Sequence, residues 1–348
     1  MKKTFAAVAT ALLMTINANA QTDAEGIRYS LPKTTLRIAL LVEKTTFEPG
    51  ELAGYSMLYM KQEAAKEAST EYNIVGISLS QDAIPDTARC YKLLIDKKHS
   101  IINLTQDENG VLLAINDNGK PVAQPEPFVA KPQPKALNPH DFMSQDILSA
   151  GSHAKMAQLI AQEIYDIRDS RNQLSRGEAD FMPKDGEQLR IMLVNLDTQE
   201  KALMQVFEGS TQKDTTEVIL SYIPEQQTDR DLLFRFSRHF GVVDADDFSG
   251  RPFYISIEDL QTIAPLPASA DDGKKSKEDI GLNVTLSGKI RVKIADGNNT
   301  VLTSEMYAAQ FGRVEMISGT LFGKKVTTHI SLHPLTGNIE RLDVEPLE

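Results

Sequence analysis

The chain has 348 residues, 41% of them hydrophobic, with 37 basic and 48 acidic side chains for a formal charge of −11. That length suggests two or three domains with ordinary cores, while the acidic balance and the lack of any basic stripe exclude a nucleic-acid partner. Tryptophan is absent and aromatics make up only 6%, which argues against a sugar-stacking surface built on anything but tyrosine.

Residues 1–20 read as a signal peptide. Lys2 and Lys3 form a charged start, Phe5 to Ile16 an apolar run, and Ala18-Asn19-Ala20 the small residues that a signal peptidase reads, which predicts cleavage before Gln21. The run is short of the ~20 residues needed to span a bilayer, so a retained anchor is the weaker reading. No cysteine follows the cleavage point, and the rest of the chain has no other long uncharged apolar segment. The expectation is an exported soluble protein, periplasmic or associated with the outer membrane.

Residues 27–116 read as an N-terminal α+β domain. LRIALLVEKTTF, from Leu36, is strand-like and stops at Pro49-Gly50; Glu51 to Ala68 is helix-forming, with Leu52, Tyr55, Leu58 and Tyr59 on one face. Strands are predicted around Tyr72–Leu79, Tyr91–Ile95 and Val111–Ile115, with Asn109-Gly110 suited to a type I′ hairpin turn. The single cysteine, Cys90, opens one of these stretches without a histidine nearby in sequence. It reads as structural, either buried or an intermolecular partner.

Six prolines between Asp117 and Pro139 forbid helix and sheet alike, so residues 117–140 read as an extended linker or a surface strap. The central domain, 141–263, centres on a helical hairpin. Met156, Leu159, Ile160, Ile164, Ile167, Arg171 and Leu174 line one helix face, and Leu189, Met192, Leu193, Leu196, Leu203, Val206 and Phe207 another. Between them Gly177 suits a left-handed helix end, Pro183 blocks continuation, and Asp185 with Gln188 forms a capping pattern for the second helix. Arg168, Arg171, Arg176, Glu178 and Asp180 form a charge cluster there, read as the hairpin's own turn or as a partner-docking site. In the structural reading Glu178 or Asp180 pairs with the arginines.

Asp244, Asp246 and Asp247 invite a calcium reading, but Phe248 and Ser249 occupy the fifth and sixth positions of the loop, so a turn between strands is favoured over a cation site. His329 and His333 lie on a strand-like stretch, where four residues span about 13 Å, too far for one zinc ion. They read as solvent-facing histidines. No G-x-S-x-G elbow, P-loop or H-E-x-x-H helix occurs, and no metal or cofactor is expected. Residues 264–281 form a charged linker, and 282–348 an antiparallel β-rich part with turns at Asp296-Gly297 and Thr336-Gly337. The fold class expected is α+β, in several domains.

YSLPKTTLRIALLVEKTTFEPG near the start, IRDSR with GEADFMPKDG at the hairpin, LLFRFSRHFGVVDADDFSGRPFYISI after it and AAQFGRV near the end together resemble a secreted family of Bacteroides-type bacteria known as a domain of unknown function. The resemblance spans nearly the whole mature chain. It implies an envelope protein and supplies no catalytic residue. A binding or assembly module acting on other envelope proteins is the expected function. The alternative is a periplasmic hydrolase whose carboxylates, such as Glu178, Asp180 and Asp246, meet in a cleft.

Overall fold

The computed structural model describes residues 26–94, 99–123, 125–133, 136–264, 280 and 282–346. The stretch read as a signal peptide and most of that read as a charged linker lie outside these residues. The fold is α+β, with strands dominant and arranged in antiparallel sheets.

Strand β1 (Gly26–Glu48) is the axis of the molecule. It pairs on one side with β2 (Ser69–Leu94) and on the other with β5 (Ser210–Tyr222). Both β1 and β2 run well beyond the stretches that their apolar patterns announce. Pro32 and Pro85 interrupt the pattern, yet they stand opposite one another at a register shift, where neither needs to donate a ladder hydrogen bond. The separate strands expected around Tyr72 and Tyr91 are therefore parts of one.

Leu36, Ile38, Leu40 and Val42 point from β1 into a core shared with a second sheet. That sheet has the order β10-β9-β8-β6-β7, from β6 (Thr228–Ser237), β7 (Gly241–Val243), β8 (Arg251–Asp259), β9 (Asn283–Asp296) and β10 (Asn299–Met316). Alternation puts Ile290, Val292 and Ile294 inside, while Arg291 and Lys293 stay outside and pair with Glu258. β2 crosses this sheet: the Tyr72 N–H bonds the Arg238 carbonyl just before β7, and Gln81 reaches the Tyr307 carbonyl of β10 at the other edge.

A third sheet has the order β12-β11-β4-β3, from β3 (Leu104–Gln106), β4 (Leu112–Ile115), β11 (Val326–Leu332) and β12 (Ile339–Pro346). Its core includes Leu112, Ile115, Ile330 and Leu332, joined by Tyr29 and Leu31 from the start of β1. The hairpin between β3 and β4 exists, but its turn is not type I′. That turn needs positive φ at both central residues, whereas Gly110 has φ 83° and Asn109 is not left-handed; the Asp107 carboxylate closes the loop by accepting from the N–H groups of Asn109 and Val111.

The helical layer holds a 3-10 turn (Ala53–Tyr55), α1 (Ser56–Tyr59), α2 (Gln145–Leu148), α3 (His153–Arg176) and α4 (Gly186–Glu208). The helix expected over 51–68 ends at Tyr59. Leu52, Tyr55 and Tyr59 reach the helical core but Leu58 points outward, and the polar residues that follow have no apolar face to hold a helix down. Lys61 turns left-handed and its Nζ donates to the Leu58 carbonyl, which closes the end. Residues 118–138 carry neither helix nor strand where described, as their prolines dictate.

Candidate functional site: the helical hairpin and the cleft at its base

α3 begins at Ser152, whose Oγ accepts from the Lys155 N–H, and buries Ala157, Ile160, Ala161, Ile164, Ile167 and Leu174 at helical spacing. It ends at Gly177, φ 73°, where the Gly177 and Glu178 N–H groups return to the Leu174 and Gln173 carbonyls. α4 begins at Asp185, whose carboxylate accepts from the Gln188 N–H at 2.7 Å. In its first turn Arg190 bonds Glu187 and holds that carboxyl below the usual range.

The charge cluster divides. Arg168 Nε lies 2.6 Å from Glu200, and Arg171 Nη1 lies 2.9 Å from Asp197 and 2.7 Å from Glu200. Hydrogen bonding to Asp197 raises the Arg171 guanidinium above its ordinary value. The partners are thus on α4 and not among Glu178 and Asp180, which lie in the turn beyond the C-terminal end of α3. Arg176, Glu178 and Asp180 are exposed at the hairpin tip and make no ion pair among the described residues. Sequence reading found the arginines but missed Asp197 and Glu200, whose only signal is their opposition across an antiparallel hairpin.

The distal half of α4 is unusual. Leu189, Ile191, Met192, Leu193, Val194 and Leu196 are apolar on nearly every side of the helix, while α3 covers one side. Ile191 is 48% exposed, Met192 40% and Val194 49%; at the tip Phe181 is 89% exposed and Met182 42%. At the base of the hairpin the Pro-rich strap crosses α4. It forms a cleft of about 1100 Å³ whose walls include Glu48, Glu51, His140, Thr198, Lys201 and Gln205, and a smaller one of about 490 Å³ beside the Arg171 network. Leu137 of the strap, Lys201 and Gln205 border both. Among the described residues no Phe, Tyr or Trp ring lines the larger cleft, and Glu178, Asp180 and Asp246 stand in neither wall.

The three aspartates of the β7–β8 loop form a turn organised by Arg235. Its guanidinium donates to the carbonyls of Ala245 and Gly250 and lies over the Phe248 ring at 4.7 Å. The Ser249 N–H, bonding Asp247, holds that carboxyl below the usual range. Among the described residues no group of three or more His, Cys, Asp or Glu side chains is placed to hold a metal ion. His329 contacts the Asn116 carbonyl and faces Glu345, whereas His333 lies beyond the end of β11 and accepts from the Leu335 N–H; both are half-buried. Cys90 is exposed, not buried, with its Sγ 3.1 Å from Ser30 Oγ. Asn116, unremarked in the sequence, is left-handed at φ 52°, and its amide bonds the backbone of Ser100, Ile102, Asn103 and Thr328.

The family model described as Domain of unknown function (DUF4831) matches residues 25–340. The chain belongs to the DUF4831 family. The DUF4831 match takes in the hairpin, the first two sheets and β3, β4 and β11 of the third, and ends at the second residue of β12. No curated protein and no solved structure matches the chain. Among the described residues of this DUF4831 chain, no helix is long and apolar enough to cross a membrane.

Proposed function

We propose that the chain is an exported envelope protein that serves as a binding or assembly module, docking other envelope proteins through the distal half of its helical hairpin. The observation that carries this reading is the all-round apolar segment Leu189–Leu196, exposed on the sides that α3 leaves open. Such a helix is stable in water when something covers it, and a partner with its own apolar helical face fits. Export rests on the charged, apolar and small-residue pattern of residues 1–20. Of the carboxylates offered for the alternative hydrolase reading, Glu178, Asp180 and Asp246 stand outside both clefts described above.

The test is chemical crosslinking in intact envelopes with the wild type and an Ile191→Lys/Val194→Lys variant. The expected outcome is a crosslinked species that the variant loses. Retention of the same species by a folded variant would remove the hairpin from the function.

A further inference from the structure

β12 is an edge strand: one side pairs with β11, and no strand among the described residues pairs with the other. Leu342 and Val344 stand opposite Ile330 and Thr328, which are fully buried, so they lie on the face that sheet turns to its core. Yet Leu342 is 42% exposed and Val344 46%. Arg341 and Asp343 project from the other face and bond one another. The strand therefore leaves both an open hydrogen-bonding edge and an uncovered apolar flank.

We propose that this edge pairs with the same edge of a second copy, antiparallel about a two-fold axis through Leu342. The charge order chooses the occupant and the register. In that pairing Leu342 meets Leu342 of the other copy, and symmetry sets Arg341 of each copy opposite Asp343 of the other. Directly opposed cross-strand side chains are about 4.5–5.5 Å apart, close enough for both ion pairs to form. Centring the axis on Arg341 opposes two arginines and centring it on Asp343 opposes two aspartates, though the latter also sets Arg341 against Glu345; of the three, only the Leu342 register opposes no like charges. The two four-stranded sheets become one continuous sheet, and the Leu342 side chains gain mutual cover. This surface lies on a different sheet from the hairpin and does not depend on it.

Sedimentation of the full mature chain tests the proposal. The wild type is expected to dimerise with rising concentration. Arg341→Asp and Asp343→Arg should each raise the dissociation constant by about tenfold, since symmetry turns both attractive pairs repulsive. The double variant Arg341→Asp/Asp343→Arg restores opposite charges and should recover the dimer. Both side chains are solvent-exposed, and circular dichroism of each variant checks that the fold persists. A wild type that stays monomeric, single reversals without effect, or a double variant no better than the singles would overturn it. So would a dimer abolished by Ile191→Lys/Val194→Lys and untouched by the β12 variants.

Discussion

Glu200 joins the two arginines of the hairpin, because its carboxylate, only 13% exposed, accepts from both Arg168 and Arg171. Glu200→Ala takes from Arg168 its carboxylate partner and leaves Arg171 with Asp197 alone, and should cost about 1.5–3 kcal/mol, read from denaturant melts. A double-mutant cycle of Arg171→Ala with Glu200→Ala should show a coupling of about 0.5–1 kcal/mol, whereas Arg171→Ala with Glu178→Ala should be additive within about 0.5 kcal/mol. Strong coupling to Glu178 instead would mean that the two helices are out of the register described above. Asp247 carries a pH signature. Its folded value is depressed by the Ser249 N–H, so its contribution is complete above the ordinary aspartate value and is lost as pH falls through the lowered one. Asp247→Asn should therefore flatten the acid side of the stability profile relative to wild type, and an unchanged slope would deny the bond.

At the scale of elements, the hairpin was the most legible part of the sequence. The periodic apolar residues of α3, Gly177 and Asp185 each have a local cause, and each does in the structure what local physics requires, whereas Met192 of α4 leaves the packed face expected of it. The helix expected over 51–68 stops short because the residues after Met60 bury no side chain; local propensity without a buried face does not hold a helix. The full lengths of β1 and β2 were hidden by Pro32 and Pro85, whose harmlessness depends on their facing each other across some fifty residues of sequence. The candidate site was legible only in half: Arg168 and Arg171 announce themselves, but their acceptors and the exposure of Ile191 and Val194 belong to packing. Because those two apolar side chains are about half exposed, Ile191→Lys/Val194→Lys should shift stability by no more than about 1 kcal/mol. A collapse of the melting transition would place them inside the core and take them away from docking.

For the molecule as a whole, β1 ties the parts together. Tyr29 and Leu31 belong to the core with β4 and β11, and Leu36 to Val42 belong to the core between the first two sheets. One strand cannot unfold in one cluster and stay fully laddered in the other, so calorimetry should show both β cores melting in a single transition. Two resolved β transitions would show that the strand breaks at its Pro32 irregularity.

The position of β1 also has a consequence in time. It is synthesised well before two of its partners: Leu36 pairs with Tyr222, and Thr34 exchanges hydrogen bonds with Gln310. Throughout the intervening synthesis an apolar strand waits with at least one ladder unsatisfied, the condition under which chains mispair and aggregate. A strand made before β5 and β10 is thus closed in only after both, and whatever attends the nascent chain must shield residues 36–42 until they have emerged.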